Sequence, residues 1–151
     1  QGGNAGHQCA GSPDHLPAIT VVAQPADIDE LDHVSNQVYL RWVLDVAVAH
    51  STALGWDHDA YLRFGAGWVV RRHELDYLAQ VLVGDEVVVE TWVDTWKGVS
   101  CIRRTAMRRA RDGAEVLRAA TTWAFIDFGS GRPRKIPDEI RGLFQPLAPA
   151  P

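Results

Sequence analysis

One stretch of the chain constrains its fold more than any other. From Asn36 to Leu54 apolar residues recur at helical spacing (Tyr39, Trp42, Val43, Val46, His50, Ala53 and Leu54), and the intervening Leu40, Leu44, Ala47 and Val48 are apolar as well. A helix greasy on nearly every side is expected to be buried. Arg41 and Asp45 stand four apart, where they can pair on its one polar strip, and Gly55 is placed to end it. Four long strand-like segments follow: Trp68 to Leu78, Glu86 to Trp96, Ser100 to Arg109 and Leu117 to Phe128. Their separators, Gly84-Asp85, Lys97-Gly98 and Asp112-Gly113, are hairpin turns, so neighbouring strands run antiparallel.

A first strand, Ala18 to Gln24, is stopped by Pro25, and a short helix opens at Pro137-Asp138-Glu139 and runs to Phe144. The order is therefore strand, long helix, then four strands. With a single substantial helix to cover one sheet face, the predicted architecture is α+β, a curled antiparallel sheet wrapped around one long central α-helix. The open sheet edge predicts pairing with a second copy. The segmentation is a loose N-terminal tail over 1–17, one domain over 18–144, and a loose Pro-rich C-terminal tail over 145–151.

Charge narrows the function. Fifteen Lys and Arg against nineteen Asp and Glu leave a formal net charge of −4, which argues against general nucleic-acid binding. No apolar run approaches the roughly 18 residues needed to span a bilayer. Gln1 to Gly11 has neither a basic start nor an apolar stretch, so it does not read as a secretory signal. Cys9 and Cys101 make no disulfide framework, and the expected compartment is the cytoplasm.

The chemistry concentrates between the first strand and the helix, in Asp27-Ile28-Asp29-Glu30-Leu31-Asp32-His33-Val34-Ser35-Asn36-Gln37-Val38-Tyr39-Leu40-Arg41-Trp42. A carboxylate just ahead of a helix can attack a carbonyl or activate water for the attack. The unpaired N–H groups of the helix's first turn can hold the oxyanion that develops. Asp29 in the loop and Asn36 near the helix start bring the two together, and Asn36 reads equally well as the N-cap. His33 is placed either to orient Asp29 or polarise a substrate, or to bond backbone at the helix entrance. Asp27 and Asp32 read as solvated or turn-forming. The spacing of the three acids lacks the Gly-centred loop and closing Glu of a calcium site, so no metal is expected. His73 and Glu74 are adjacent on a strand and face opposite sides unless a bulge intervenes, so they read as structural.

This segment resembles the hotdog-fold acyl-CoA thioesterases, the group that includes 4-hydroxybenzoyl-CoA thioesterase. Its members carry an Asp, a Gly-His-Val-Asn-Asn-like stretch and a Tyr-Leu-x-Trp helix entry. Asp29, His33, Val34, Asn36, Tyr39, Leu40 and Trp42 fall on those positions. His73 to Leu78 with Val83 to Val87, and Gly131 to Pro137, resemble later parts of the family, so the likeness spans roughly 18–144. Asp32 stands where many members have Gly, and Ser35 replaces the first Asn of the pair.

The resemblance implies a hotdog fold and an acyl-CoA thioesterase with Asp29, His33 and Asn36 in the catalytic machinery, in a homodimer or a dimer of dimers. Coenzyme A would enter as part of the substrate, with no separate cofactor. Tyr39 is a core aromatic that also has the position to wall an acyl pocket. Among several basic pairs, Arg134 and Lys135, after the Gly-rich stretch Gly129-Ser130-Gly131, are the candidate contacts for coenzyme A phosphates. Two other functions remain compatible with the sequence: an acyl-thioester hydratase or dehydratase on the same fold, and a non-catalytic acyl-CoA-binding protein.

Overall fold

A computed structural model describes residues 16–144. Five antiparallel strands form one sheet in the order β1-β3-β4-β5-β2, with β1 (Ala18–Val22), β2 (Ala66–Tyr77), β3 (Glu86–Lys97), β4 (Ser100–Arg109) and β5 (Glu115–Asp127). The sheet curls over α1 (Asn36–Ala53), as the sequence predicts. Two shorter helices, α2 (His58–Phe64) and α3 (Asp138–Phe144), accompany it. Sequence reading missed α2, whose seven residues are too short for a periodic signal. It is delimited locally, by the Asp57 carboxylate accepting from the Ala60 amide and by Gly65 at φ 89° ending it in the left-handed region.

Ser35, rather than Asn36, caps α1, its hydroxyl accepting from the Gln37 amide at 3.4 Å. The helix is less enclosed than its composition implies. Val38, Tyr39, Trp42, Val43, Val46, Ala47 and His50 are buried, whereas Val48, on the opposite side, is 63% exposed. Arg41 reaches back to the Asp27 carboxylate at 2.8 Å. Asp27 is buried and also accepts from the Gln24 amide, so it is no solvated loop acid; it pins the loop to the helix. The N-terminal boundary also moves slightly, because the Pro17 carbonyl already accepts from the Thr91 amide. The rest of the two predicted tails lies outside the described residues, apart from Leu16.

The interior divides in two. One cluster joins the first half of α1 to Ile19, Val21, Val87, Val89, Met107 and Leu117. The other joins Val93, Cys101, Phe125, Ile140 and Phe144 to a rim of partly buried aromatic residues. Between them the sheet carries a buried polar seam of Thr91, Arg103, Thr105 and Thr121, met from the helix by His50.

Two bulges shape the inner face. On β3 the register skips Asp94, so Trp96 comes to stand opposite Cys101 on β4. On β2 it skips Arg71, which aligns His73 with Thr121, and the two side chains bond at 2.9 Å. Glu74 pairs outside with Arg72 at 3.4 Å. The bulge falls before both residues, so His73 and Glu74 still take opposite faces of the strand.

Candidate functional site: a loop acid and a tryptophan cavity

Asp29 sits in a tight turn held by its own backbone. Its amide donates to the His33 carbonyl, its carbonyl accepts from the Asp32 amide, and its Oδ1 accepts from the Leu31 amide at 2.8 Å. Oδ2 has no partner among the described residues. An isolated bridge between Ile28 and Val34 closes the turn at its base. Asp32 adopts φ 66°, a conformation that favours glycine and that Asp tolerates better than most residues. This is the position where the resembled family often has Gly.

The loop delivers the chain directly into α1. The Ser35 amide donates to the Asp27 carbonyl, and the Val34 amide to the Val81 carbonyl. Asn36 is exposed in the first turn, so a helix start with its positive dipole end lies one short turn from Asp29. The His33 ring forms no hydrogen bond with Asp29; its carbonyl, not its imidazole, meets that residue. Tyr39 is 3% exposed and packs edge-on against Trp42 and Tyr77, and burial raises its hydroxyl pKa.

Arg134 and Lys135 lie elsewhere. The Arg134 amide bonds the Phe125 carbonyl, and its guanidinium sits 4.7 Å over the Phe64 ring and 3.5 Å from the Asp127 carboxylate; Lys135 is exposed beside it. Neither residue adjoins the start of α1 within one chain.

A cavity of about 380 Å³ opens at the other end of α1, lined by Ala47, Val48, Ser51 and Thr52 of that helix. Eleven residues from Asn36 to Ala47 place it roughly 16 Å along the helix axis. Asp29, His33, Asn36 and Tyr39 are not among its lining residues. Within a single chain the Asp29 loop leads into the helix start, and the cavity is separate from both.

The floor of the cavity is the sheet. Trp96, Cys101 and Trp123 stand side by side across β3, β4 and β5, so a small side chain lies between two indoles and leaves a slot. Trp56, Trp68 and Phe144 add walls. Sequence reading missed these residues; the available signal was six tryptophans in 151 residues, but the bulges obscure which face each one takes. A hydrogen-bond relay fixes one wall. Trp68 can only donate, so the Tyr61 hydroxyl accepts from it at 3.0 Å and donates to the Ser51 hydroxyl, which in turn donates to the Trp56 carbonyl.

Arg103 is the buried charged residue of this cavity, whose lining also includes Asp57 and His58 nearer its surface. One of its terminal nitrogens lies 3.0 Å from both His50 Nδ1 and Thr91 Oγ1, and its guanidinium is 5.7 Å from the centre of the Phe144 ring. Arginine has no lone pair to offer, so His50 Nδ1 must accept, and its ring proton resides on Nε2. Burial, then the Arg103 charge, push His50 down to about 3. Burial also pushes the Cys101 thiol up to about 12, which leaves it protonated and no nucleophile at neutral pH.

The His50 shift has a measurable consequence. The unfolded chain binds a proton near its ordinary value of 6.5, and the folded chain does not until about 3. Stability is therefore lost as the pH falls between those limits, at up to about 1.4 kcal/mol per pH unit, and levels off below them. His50→Gln retains an acceptor for Arg103 and should flatten this part of the urea-midpoint-against-pH curve. The same slope in the variant would show that another group causes it.

Among the described residues no group of three or more His, Cys, Asp or Glu is placed to hold a metal ion, and no helix is long and apolar enough to cross a membrane.

Comparison with known proteins places this architecture. A palmitoyl-acyl carrier protein thioesterase from Arabidopsis thaliana is 34% identical over 80 residues, 52% of this chain and 19% of that protein, so the chain spans about a fifth of that relative's length. In fold, a hypothetical protein from Staphylococcus aureus in complex with CoA gives a TM-score of 0.83 at 15% identity, covering 94% of this chain and 93% of the other. A 1,4-dihydroxy-2-naphthoyl-CoA thioesterase from Synechocystis gives 0.78 at 13%, covering 84% and 93%. These two establish the hotdog architecture. The sequence profile of the thioesterase-like superfamily matches residues 23–144, from the end of the first strand through the last helix, and the chain belongs to that superfamily.

Proposed function

We propose that this protein hydrolyses an acyl-coenzyme A thioester to the free acid and coenzyme A, with Asp29 as nucleophile or as base for water. The observation that carries the reading is an acid with one uncommitted oxygen held one turn ahead of an exposed helix start. Superfamily membership supports it. In this reading the Asn36 amide at the start of α1 takes the oxyanion, the Gln37 and Val38 amides being held by Ser35. His33, beside them, helps orient the substrate. Arg134 and Lys135, at the end of the molecule that carries Phe128 of the cavity, contact the coenzyme A phosphates.

The separation of acid and cavity is resolved by a second copy. β2 pairs only with β5, leaving one edge open among the described residues. That edge starts at the cavity, through Gly67 and Trp68, and ends at the helix start, where the Tyr77 hydroxyl donates to the Asn36 carbonyl at 3.4 Å. Two such edges paired antiparallel across a twofold axis bring the cavity end of each chain to the helix start of the other. Light scattering should accordingly report at least twice the chain mass; a stable monomer that turns over substrate would contradict the arrangement.

The decisive assay is thiol release over a panel of acyl-CoA esters. Hydration of an enoyl-CoA without thiol release would favour a hydratase, and binding without either product a non-catalytic role.

A further inference from the structure

We propose that Gly67 and Phe128 together set the width of what enters the tryptophan cavity, the glycine serving as a recess into which the Phe128 ring folds back from the mouth. The assignment deepens the reading above and rests on it in taking the cavity to be where the acyl part of the thioester lies.

The glycine is the first observation. Gly67 lies inside β2, opposite Ile126 of β5, and it is not among the glycines with a left-handed backbone, so the chain itself would accept another residue there. Glycine inside a strand weakens it and often marks the close approach of another group. A Cβ at this position would stand 2.7 Å from Cζ of Phe128 and 3.2 Å from one of its Cε atoms, well inside ordinary contact. No other described glycine would bring a Cβ so close to a neighbour. The bare backbone is matched to the ring, and no turn requires it.

Phe128 is the second observation. It lines the cavity together with Gly67 and is 47% exposed. The other exposed residues of the lining are Val48 and Thr52 on α1 and Asp57 and His58 at the start of α2, so Phe128 is the largest side chain at the mouth and the one that comes from the sheet. Its backbone is fixed. The Phe128 amide donates to the Gly65 carbonyl at 2.8 Å, and the preceding Asp127 donates to the Arg132 carbonyl and accepts from the Gly131 amide. The ring, by contrast, is stacked on no other aromatic ring among the described residues. Its movement is therefore a matter of side-chain torsions, which are fast in exposed residues. Seated on Gly67, the ring leaves a cavity of about 380 Å³ open; pushed off that seat, it swings across the mouth. In the twofold arrangement proposed above, this end of the chain meets the helix start of the other copy. An acyl group reaching from the acid of one copy then enters past the Phe128 ring of the other.

Titration with two neutral alcohols tests the assignment, 1-octanol as the slender probe and 1-adamantanol as the bulky one. Tryptophan fluorescence reads the binding, because Trp56, Trp68, Trp96 and Trp123 all line the cavity. Neither probe carries a charge for Asp57, His58 or Arg103 to meet. In Phe128→Ala the affinity for the bulky alcohol relative to the slender one should rise by roughly tenfold, the discrimination expected from a misfit of about one methylene. In Gly67→Ala the ratio should fall by roughly threefold or more, because the added methyl lifts the ring. The double variant should match Phe128→Ala within about twofold, since without the ring the methyl has nothing to displace. A merely structural effect of Gly67→Ala would persist in the double variant. An unmoved ratio in either single variant, a Gly67→Ala effect that survives loss of the ring, or binding of neither alcohol to the wild-type protein would overturn the proposal. If Gly67→Ala fails to fold, Phe128→Trp takes its place and should lower the ratio in the same direction. The probes contain no thioester. A protein that hydrolyses no acyl-CoA yet shows these shifts defeats the proposed function and leaves the width control standing, and thiol release with unmoved ratios does the reverse.

Discussion

Asp29→Asn should lower thiol release from the preferred acyl-CoA by roughly 10² to 10⁴-fold, the range expected when a nucleophile or general base is removed. The substitution is conservative in the way that matters for folding. The Asp29 bond to Leu31 is accepted by Oδ1, and an Asn side-chain oxygen accepts the same bond. The turn around Asp29 otherwise depends on backbone groups, namely the bonds to His33 and Asp32. The melting temperature should therefore stay within a few degrees of wild type. Undiminished turnover would remove Asp29 from the chemistry, and a matching collapse in stability would mean that the acid acts as a structural pin. Asp27→Asn offers the contrast, since Asp27 is the buried partner of Arg41 and its loss should register first in stability.

The largest effect on stability is expected from Phe125→Ala. Phe125 is fully buried in β5, with the Phe64 ring 6.0 Å and the Trp68 ring 4.9 Å from its own. Truncating a buried aromatic side chain typically costs about 3 to 5 kcal/mol. In a domain of this size that corresponds to a fall in melting temperature of roughly 10 to 20 °C. Because Phe64 belongs to α2 and Trp68 to the cavity wall, loosening should spread to both. A drop below about 1 kcal/mol in denaturant unfolding would mean that the aromatic cluster repacks into the space.

The sequence made the element order legible because each long element has its own period. Val87, Val89, Thr91 and Val93 alternate as a half-buried strand does, and Tyr39, Trp42, Val43 and Val46 recur as a helix face does. The candidate Asp29 loop was legible for another reason: its acid, histidine and helix entry lie in one short run of the chain, so a linear motif carries them. The cavity had no such linear trace. Trp68, Trp96, Arg103 and Trp123 meet only through strand pairing, and two of the registers involved shift at a bulge. Arg103 and Arg104 look alike as a doublet, yet one is buried against His50 while the other pairs outside with Asp94 at 2.8 Å. Alternation shows that the two part company and leaves open which of them turns inward. Asp27 forms a turn as one of its two readings had it, through the Gln24 amide, but its burial was not legible because it depends on a partner fourteen residues away, Arg41, for which Asp45 was an equally good candidate by spacing.

The extra residue at Asp94 carries a lesson about how such a pocket changes over generations. Point substitutions adjust the size of what lines the cavity, whereas a one-codon deletion there would remove only the surplus residue and leave Thr95 opposite Ile102 and Trp96 opposite Cys101, each on the face it now takes. The strand would lose its local bend and the carboxylate that holds Arg104, while the identity and order of the side chains beneath the cavity stayed the same. Length variation at this point is thus a fine dial on the curvature of the floor, acting on geometry where ordinary mutation acts on chemistry.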